Sequence, residues 1–428
     1  MQGKLHQLHK GNAMKKFLIL TVTAGNGHNS CAKSMKNKLE GMGEDVDVKI
    51  VDLLQTYSTK MRAWIADKGY NIAVSKLCPI YDYFYEKCKR KDPAKRYTCS
   101  AMAVAKTTVE KLLKEILDYQ PDVVFCTHFY AGAAITALKQ IIDLPCKTVI
   151  TSLDYVNSPF WEACIGVDYF NVPNEDFVEE NIKEGFTNKQ MLTFGLPVDE
   201  RTMVATEKSL AREQLGLDKD LFTITVMFGG GFWSGGFKIF KSLIKLLGDR
   251  KAQVVMINGR NKKGYDKIQK MTFKANLKVV NVGFTDKVPL YMSASDMMIN
   301  KCGGLCATEV INQGLPMLVT EKIPAQEKYN LKYLKEKGGA YSFKNNKQLA
   351  SGLFKIMDDA QRREEMSTTL KSLRKNGIDK LAKFMIELPN ADYSKLILNN
   401  VDLSKVKKSV NKALKVANKK EKRKKKEN

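Results

Sequence analysis

Glycines, cations and carboxylates gather in the second half of the 428-residue chain, where their pattern suits the binding of a phosphorylated ligand. Five glycines fall within residues 229–236, directly after a predicted strand. Arg260 follows the next strand, and Lys301 follows a later one together with Gly303 and Gly304. Backbone N–H groups of glycine-rich turns can hold phosphate oxygens, especially at a helix N-terminus, and cations balance the charge. The convergence of several such turns at one sheet edge is more specific than any one of them.

Three further side chains could recognise the rest of such a ligand. Glu309 lies five residues after Gly304 in a predicted helix, where a carboxylate can accept hydrogen bonds from both hydroxyls of a ribose. An ordinary surface glutamate that complements the helix dipole is the alternative. Gln326 and Glu327 follow the fifth predicted strand of this half and add an amide and a carboxylate to the same edge.

A second glycine-rich turn, residues 24–28, follows the first predicted strand and opens a helix. Ser30 stands where the dinucleotide-binding fingerprint needs glycine or alanine, so the turn is not that motif. The turn ends in His28, whose imidazole could act as a general base near neutral pH. His28 is therefore a candidate catalytic residue, and a histidine that caps or packs locally is the alternative.

The elements that must position these residues alternate between strand and helix. Short apolar runs separated by amphipathic segments predict an α/β fold of two Rossmann-like, doubly wound domains, with the boundary at residues 195–197. Such folds bind ligands beyond the carboxyl ends of their strands. The predicted strands are 17–23, 46–51, 122–127, 148–152 and 168–172 in the first half, and 222–228, 253–258, 277–282, 296–300 and 317–320 in the second.

One segment, residues 57–105, interrupts this alternation with aromatic and basic residues. Aromatic rings beside a cluster of lysines and arginines suit a membrane interface, where the rings lie at headgroup level and the cations meet lipid phosphates. An insertion that packs its rings inward and leaves its lysines in water is an equally open alternative. The residues singled out for acceptor or membrane contact are Trp64, Tyr81, Tyr83, Phe84, Lys89 and Arg90.

The formal net charge of +25 indicates a polyanionic partner, which could be nucleic acid, an anionic membrane surface or a phosphorylated ligand. Residues 405–428 alone hold twelve Lys or Arg and two Glu, and a solvated tail is the other interpretation of that stretch. No nucleic-acid recognition motif accompanies the charge, so no nucleic-acid partner is expected.

The cysteines and the apolar runs point to a cytosolic chain without a membrane span. Nine cysteines are scattered and form no CxxC pair or metal-binding cluster, which indicates reduced thiols. The apolar run at residues 17–22 is far too short to cross a bilayer, and no other run approaches about twenty residues.

These motifs together resemble those of the monogalactosyldiacylglycerol synthases and the processive diacylglycerol glucosyltransferases. The resemblance covers about residues 14–385. In the second half it rests on Gly303-Gly304, Glu309, the Gly-Leu-Pro at 314–316, the Ile-Pro-Ala-Gln-Glu at 323–327 and Asn330. In the first half it rests on the turn that ends in His28, on residues 121–128 and on residues 195–198.

The resemblance implies two Rossmann-like domains of the GT-B type that face a deep cleft, with a C-terminal helix that crosses back to the first domain. The bounds expected on this basis are a disordered leader at 1–13, an acceptor domain at 14–197 with the insertion at 57–105, a donor domain at 198–370, a returning helix within 371–400 and a basic tail at 401–428.

The resemblance also implies an inverting glycosyltransferase at the cytoplasmic face of an anionic membrane. It would move a hexose from UDP-glucose or UDP-galactose to diacylglycerol or a glycosyl-diacylglycerol, and no cofactor or metal is implied besides the donor substrate. The alternatives are a peptidoglycan-type lipid-linked N-acetylglucosaminyltransferase and a nucleotide-sugar epimerase on the same scaffold.

The donor-binding residues of the family carry over position by position. Gly303, Gly304 and a loop glycine would hold the diphosphate, while Arg260 and Lys301 would neutralise its charge. The full set implied for the UDP-sugar is Gly231, Arg260, Phe284 through its backbone, Lys301, Gly303, Gly304, Glu309 at the ribose, Gln326 and Glu327 at the sugar hydroxyls, and Asn330.

On the acceptor side, the resemblance implies that His28 is the base and that Asp154 shares its role or orients it. Ser158 stands where the family commonly has a histidine, so the acceptor loop departs from the family pattern. Trp161 in the same loop is kept and is grouped with the acceptor and membrane residues.

Overall fold

The computed structural model describes residues 14–23, 26–57, 78–89, 106–140, 142–229, 235–394 and 396. These residues form two six-stranded sheets, and every strand pair in both sheets is parallel. The predicted fold class is therefore confirmed. The expected leader, the basic tail and most of the segment 57–105 lie outside the described residues.

The first sheet is built from residues 15–192. Its strands are β1 (Lys15–Thr21), β2 (Val46–Asp52), β3 (Val123–Cys126), β4 (Lys147–Thr151), β5 (Tyr169–Asn171) and β6 (Met191–Leu192). They lie in the order β2-β1-β3-β4-β5-β6. The central β1 strand pairs with β2 and β3, and its apolar residues 17–20 are fully buried because helices cover both faces of the sheet.

The second sheet is built from residues 223–343. Its strands are β7 (Thr223–Met227), β8 (Ala252–Ile257), β9 (Leu277–Val282), β10 (Met297–Asn300), β11 (Met317–Thr320) and β12 (Ala340–Phe343). Their order is β12-β11-β10-β7-β8-β9.

Fifteen α-helices accompany the sheets in the described part of the chain. In the first half these are α1 (Gly27–Glu40), α2 (Leu53–Tyr57), α3 (Cys78–Lys89), α4 (Lys106–Tyr119), α5 (Phe129–Lys139) and α6 (Val178–Lys183). In the second half they are α7 (Lys208–Gln214), α8 (Gly236–Leu247), α9 (Lys262–Gln269), α10 (Val288–Ala294), α11 (Gly304–Gln313), α12 (Ala325–Glu336), α13 (Asn346–Met357), α14 (Ala360–Ser372) and α15 (Gly377–Glu387).

The strand order reverses once in each sheet, and these two positions determine where ligands can bind. In the first sheet the reversal lies between β1 and β3, and in the second it lies between β7 and β10. Crossover connections leave the sheet on opposite faces at such a point, which opens a crevice beyond the carboxyl ends of the strands. His28 follows β1, whereas Lys301 follows β10.

The last helix, α15, packs on the first sheet although it follows the second sheet in the chain. Its buried residues Ile378, Leu381 and Met385 share a core cluster with Phe17 of β1. Lys15 donates from Nζ to the carbonyl of Ile386 at 2.6 Å and to that of Leu388. A cation at a helix C-terminus is favourable, so β1 anchors the returning helix electrostatically as well as by packing.

The chain passes from the first domain to the second near Gly195 and returns to the first near Gly377. These two glycines are in contact. A Cβ built on Gly377 would lie 2.4 Å from the carbonyl oxygen of Gly195, so no larger residue fits there. Gly195 itself has a φ of +98°, a conformation that favours glycine. The predicted boundary at residues 195–197 thus lies at this contact.

Candidate functional site

The N-termini of α1 and α11 face each other across the space between the two sheets. A Cβ built on Gly27 would lie 3.9 Å from Leu305 Cδ1. A Cβ built on Gly304 would lie only 1.9 Å from the carbonyl oxygen of Leu153 and 2.7 Å from Oδ1 of Asp154. Gly304 is therefore required for the close approach of the two domains, in addition to any part it takes in binding phosphate.

The turn that leads into α11 has a left-handed residue at its centre. Cys302 has a φ of +58°, which is unusual for a residue with a side chain. Its amide donates to Oδ1 of Asn300 at 2.8 Å, and this bond holds the turn. The turn directs the first N–H groups of α11 and the side chain of Lys301 to the same edge of the sheet.

Lys301 and Glu327 form a largely buried ion pair at this edge. Burial raises the pKa of Glu327 in spite of the adjacent ammonium group, because removing a carboxylate from water costs more than the pair returns. Burial, the largest single effect on Lys301, lowers its pKa, but the charge and hydrogen bond of Glu327 together with the charge of Asp154 outweigh burial and raise the pKa. Glu327 Oε2 is buried and has no hydrogen-bond partner among the described residues.

Asn330 joins the two domains. Its Nδ2 donates to Asp154 Oδ1 at 2.7 Å and to the carbonyl of Cys302 at 3.0 Å. Its Oδ1 accepts a hydrogen bond from the amide of Tyr155 at 2.6 Å. Asn330 is completely buried, and these three bonds use most of the capacity of its amide. Asn330 therefore helps to hold the domains together, and its expected contact with the UDP-sugar stays a prediction.

Asp154 lies at the same junction, and its pKa is raised to about 6. Burial is the main cause, and the charge of Glu327 adds to it, while the hydrogen bond from Asn330 and the charge of Lys301 oppose it. No hydrogen bond joins Asp154 to His28 among the described residues. The expected direct orientation of His28 by Asp154 is thus not seen, because Asp154 is bound to Asn330 instead.

His28 is held at the start of α1 by the backbone of the neighbouring strand end. Its Nδ1 lies within hydrogen-bonding distance of the carbonyl oxygen of Thr127. Because a carbonyl can only accept, Nδ1 carries the proton and Nε2 of the neutral ring keeps a free lone pair. Burial lowers the pKa of His28 to about 4, well below the near-neutral value expected for a general base. The base form is therefore fully populated at pH 7.

His128 is the neighbour of His28, with ring centroids 4.5 Å apart and nearly perpendicular planes. It caps α5, because its Nδ1 accepts from the amide of Tyr130 at 3.0 Å. Burial and the proximity of His28 keep the pKa of His128 well below its usual value. Both rings are therefore neutral at pH 7.

Glu309 lies in the second turn of α11 and is partly exposed. Burial raises its pKa to about 8, with a smaller contribution from the charge of Asp199. No hydrogen bond or ion pair to its carboxylate is found among the described residues. A ligand that donates hydrogen bonds to this carboxylate would stabilise its ionised form.

Arg260 and Phe284 lie beyond β8 and β9, at the outer end of the same edge. The guanidinium of Arg260 lies over the ring of Phe284 at 5.4 Å, and Phe284 is 69% exposed. Gly229, at the end of β7, has a φ of +81°, and a Cβ there would lie 3.5 Å from Lys301 Cε. The carboxyl edge of the second sheet therefore extends from Lys301, after β10, to the exposed ring of Phe284, after β9. Gly231 lies outside the described residues.

The residues predicted to contact acceptor or membrane fall into three groups. Tyr83 and Phe84 lie on α3 with 62% and 59% of their surfaces exposed. Lys89, also on α3, is half-buried, and its Nζ lies 4.1 Å from the centroid of the Tyr329 ring on α12. Trp64 and Arg90 lie outside the described residues, as does the side chain of Tyr81 within α3.

Trp161 has a different environment from the one expected for a membrane contact. Its side chain is only 6% exposed and packs against Phe170 at a ring distance of 4.8 Å. It is part of the core of the first domain, and its contact with acceptor or membrane stays a prediction.

Tyr155 and Tyr333 are interdomain residues that the sequence did not reveal. Their rings stack at 4.6 Å with an angle of 16°, and the Tyr155 hydroxyl lies 3.0 Å from that of Thr308. The only local sign was the position of Tyr155 next to Asp154. Contacts between residues so far apart in the chain leave no pattern in a single sequence.

Two negative findings apply to the described part of the chain. No described helix combines the length and the apolar character needed to span a bilayer. No three His, Cys, Asp or Glu side chains of the described residues are grouped as a metal site.

Two family models match the chain one after the other. The model for monogalactosyldiacylglycerol (MGDG) synthase matches residues 28–198, and the model for the glycosyltransferase family 28 C-terminal domain matches residues 225–382. The first match covers the sheet that carries His28, and the second covers the sheet that carries Lys301 and Glu309.

Full-length relatives show the same similarity. A probable monogalactosyldiacylglycerol synthase, chloroplastic, of Glycine max is 27% identical over 360 residues, which are 80% of this chain and 65% of that protein. The processive diacylglycerol beta-glucosyltransferase of Staphylococcus saprophyticus is 28% identical over 328 residues, which are 76% and 80% of the two chains. This chain thus spans just under two thirds of the plant relative.

Solved structures agree on the fold. MurG of Acinetobacter baumannii superposes with a TM-score of 0.56 at 14% identity, over 88% of this chain and 100% of its own. A protein described as a UDP-N-acetylglucosamine 2-epimerase of Listeria monocytogenes gives 0.56 at 13%, over 89% and 99%. Spinosyn rhamnosyltransferase SpnG gives 0.54 at 12%, over 87% and 100%. Both domains and their order agree with the two family models, and over most of its length the chain is similar to monogalactosyldiacylglycerol synthases and processive diacylglycerol glucosyltransferases.

Proposed function

We propose that the chain is a glycosyltransferase that moves a hexose from a UDP-sugar to the hydroxyl of diacylglycerol, with inversion. The observation that carries this proposal is the meeting of the two switch points across the cleft. A neutral imidazole, His28, lies on one side, and Lys301 with the N–H groups of α11 lies on the other. The acceptor hydroxyl must lose a proton, which a neutral imidazole can take. The leaving diphosphate gains negative charge, which Lys301 and the N–H groups of α11 can stabilise.

On the donor side, the start of α11 and Lys301 would bind the diphosphate. Arg260 would add charge, Phe284 would lie at the uracil, and Gly231 remains a predicted part of the phosphate loop. Glu309 would bind the ribose hydroxyls, whose hydrogen bonds favour the ionised carboxylate and would lower its raised pKa. Binding of UDP would therefore release a proton near neutral pH.

The sugar itself would meet the N-terminus of α12. Gln326 and Glu327 are the first residues of that helix after Ala325. Glu327 is held by Lys301 through Oε1, which leaves the buried Oε2 as an acceptor for a sugar hydroxyl. An unsatisfied buried carboxylate oxygen is costly unless a ligand donates to it, which favours a polyhydroxylated ligand at this position.

In the reaction, Nε2 of His28 would take the proton of the lipid hydroxyl as its oxygen attacks the anomeric carbon. The bond from that carbon to the β-phosphate oxygen breaks, and UDP leaves with the electron pair. The negative diphosphate would raise the pKa of His28 above its value of about 4, because an opposite charge stabilises the imidazolium. The α11 N–H groups and Lys301 would stabilise the charge on the leaving group.

The acceptor would reach His28 from a membrane surface. The exposed rings of Tyr83 and Phe84 on α3 and the net charge of +25 support docking on an anionic bilayer. The side of the membrane and the identity of the hexose, glucose or galactose, belong to the same proposal.

The fold does not separate this function from its two alternatives, because a MurG and a protein described as an epimerase share the fold. The match of the acceptor half favours the proposed function over both alternatives. Residues 28–198 fit the model for monogalactosyldiacylglycerol synthase, and this is the half in which an acceptor would bind.

The test is to incubate the full chain with diacylglycerol vesicles and, in turn, with labelled UDP-glucose, UDP-galactose and UDP-N-acetylglucosamine. We expect a glycosyl-diacylglycerol from one of the two hexose donors, identified by mass, and none from His28→Gln protein. Epimerised nucleotide sugar without a glycolipid, or transfer only from UDP-N-acetylglucosamine to a polyprenyl lipid, would contradict the proposal.

A further inference from the structure

The carboxylate of Asp154 lies at the N-terminus of α11, although Asp154 belongs to the other domain. A Cβ built on Gly304, the first residue of α11, would lie 2.7 Å from Asp154 Oδ1. The backbone N–H of Gly304 stabilises the ionised form of this carboxylate. Gly303, at the N-cap position, has no side chain that could accept from the first N–H groups of the helix. Asp154 thus supplies the negative charge that the start of a helix favours.

The side chains beside Asp154 give this end of the site an excess of negative charge. Lys301 is close to Asp154 but is paired with Glu327. Burial is the main reason that the pKa of Asp154 is about 6, with the charge of Glu327 acting in the same direction and the charge of Lys301 opposing it. Asp154 is therefore largely ionised at pH 8. Two carboxylates then share one ammonium group.

The hydrogen bonds of Asp154 do not require a charged residue. Its Oδ1 accepts from Nδ2 of Asn330 at 2.7 Å, and it also interacts with the N–H of Gly304. The oxygen of an amide side chain can accept the same bonds, and burial makes a carboxylate the more costly residue at this position. No hydrogen bond joins Asp154 to His28 among the described residues, so the proposed proton transfer does not use Asp154. Its negative charge therefore indicates a role beyond holding the domains together.

The donor and the product of the proposed reaction differ in charge at this end of the site. In a UDP-hexose the β-phosphate is esterified to the sugar and carries one negative charge. In free UDP the same phosphate is terminal and loses a second proton with a pKa of about 6. The additional charge of UDP lies where the sugar was attached, which the proposed function places beside Glu327 at the start of α12.

We propose that Asp154 is a specificity-determining residue that distinguishes the UDP-sugar from the product UDP. Its carboxylate at the N-terminus of α11 repels the additional charge of free UDP, so UDP binds more weakly than it would beside a neutral residue and leaves the site sooner. Lys301 and the N–H groups of α11 still stabilise the singly charged β-phosphate of the donor. This role rests on the proposed function, because it takes the start of α11 as the diphosphate site.

The experiment compares two ligands that differ by one charge. Calorimetry at pH 8 measures the affinity of the full chain for UDP and for the β-methyl ester of UDP, in which the terminal phosphate is capped as it is in the donor. Asp154→Asn keeps an oxygen for Asn330 and Gly304 and removes the charge. We expect the affinity for UDP to rise about ten-fold and the affinity for the ester to change less than about three-fold. Two charges a few ångströms apart in a partly buried site interact strongly enough for such an effect.

A second variant and a second measurement support the same comparison. Asp154→Ser also places a neutral acceptor at this position, and it should show the same selective gain for UDP. In transfer assays, the inhibition constant of UDP should fall in Asp154→Asn by the factor that calorimetry gives. Thermal melts should show both variants folded.

The matched control is Asp176→Asn. Asp176 also belongs to the first domain, and its carboxylate pairs at 3.1 Å with Lys337, at the opposite end of α12 from Glu327. The control therefore removes a charge between the domains without changing the N-terminus of α11. We expect its affinities for UDP and for the ester to stay within about two-fold of the wild type.

The other outcomes separate this role from the proposed function. A wild type that binds neither UDP nor its ester would overturn the proposed function, and the role of Asp154 with it. An equal gain for both ligands in Asp154→Asn would mean that Asp154 competes with any diphosphate and does not discriminate between donor and product. Unchanged affinities, or weaker binding of the ester, would also overturn the discrimination. In these last cases UDP still binds, so the proposed function stands.

Discussion

The donor edge of the second sheet and the exposed face of α3 are organised in opposite ways. Lys301, Glu327 and Asn330 are buried or partly buried, and each is bound to another protein group. Tyr83 and Phe84 are exposed. A nucleotide sugar has fixed polar groups, so the residues that recognise it can be held in place beforehand. A lipid surface is fluid, and exposed apolar area beside cations is enough to bind it.

Substitutions in the two regions should therefore have effects of different kind and size. Changes at the cleft should alter chemistry or nucleotide affinity by large factors, because the groups there are preorganised. Changes on the proposed membrane side should alter lipid affinity by small factors, since many residues would share that contact.

The largest effect is expected for His28→Gln. We expect transfer to fall by roughly 10³-fold, within the range for loss of a general base, while affinity for UDP changes less than about two-fold. The reason is that the proposed function places His28 on the acceptor side of the cleft. Initial rates and calorimetry with UDP measure the two quantities. His128→Asn is the control, because asparagine can still cap α5, and it should keep more than about a tenth of the activity. A parallel loss of UDP affinity in His28→Gln would place this residue in the donor site.

The next effect is expected for Glu309→Gln, which should weaken UDP binding by roughly 10- to 100-fold through loss of a charged hydrogen-bond acceptor. Because its pKa is about 8, wild-type protein should release part of a proton on binding UDP at pH 7, and the variant should not. Calorimetry in two buffers of different ionisation enthalpy measures this release. Glu321→Gln, whose carboxylate pairs with Lys344, is the control and should leave both quantities unchanged.

Glu309 also gives a pH dependence of stability. Its pKa is raised from 4.5 to about 8 in the folded protein, so the folded state binds more protons than the unfolded state between these values. Stability from this group is therefore lost as pH rises through that window. Thermal melts should show Glu309→Gln gaining on the wild type at pH 9 relative to pH 5. An equal difference at both pH values would contradict the raised pKa.

For Asn330→Ala we expect a smaller effect, which is a decrease in the free energy of unfolding. The variant leaves the amide of Tyr155, the carbonyl of Cys302 and one oxygen of Asp154 without their partner, at a cost of about 2 kcal/mol. Urea unfolding measures this cost. Asn276→Ala also removes two bonds, to the carbonyls of Gly248 and Arg250, but on a more exposed loop. It should cost less than about 1 kcal/mol, and an equal loss in the two variants would mean that Asn330 does not hold the domains together.

The smallest effect is expected for deletion of residues 405–428. Each cation near an anionic leaflet contributes about 1 kcal/mol or less, and salt screens much of this at physiological ionic strength. Liposome pelleting should fall several-fold at low salt and little at high salt, while transfer to detergent-solubilised lipid stays the same. Unchanged pelleting at low salt would mean that residues 405–428 form a solvated tail that does not contact the membrane.

The sequence predicted the local parts of this architecture and missed the parts made by distant contacts. Ten strands were predicted because each is a short apolar run that ends in glycine or a polar residue. The edge strands β6 and β12 were not predicted, since β6 has only two residues and β12 is half exposed. The returning helix was expected from the family resemblance, and its anchor, Lys15, was not.

The candidate site divides in the same way. Lys301 follows β10 directly, and Gly304, Glu309 and Glu327 lie in the first turns of the helices that follow β10 and β11. Their convergence could therefore be deduced from a parallel fold. The role of Asn330 depends on Tyr155, 175 positions away, and the position of the His28 ring depends on Thr127, 99 positions away. The core position of Trp161 depends on its packing against Phe170 of β5. Burial and pairing of this kind are properties of the folded chain and have no periodicity in the sequence.

The measurement that tests the account most directly is a crystal structure of the full chain with UDP. The account predicts the diphosphate at the start of α11 beside Lys301, the ribose hydroxyls on the carboxylate of Glu309 and the β-phosphate facing His28. UDP bound at the end of the first sheet, or at the second sheet without contact to Glu309, would contradict it.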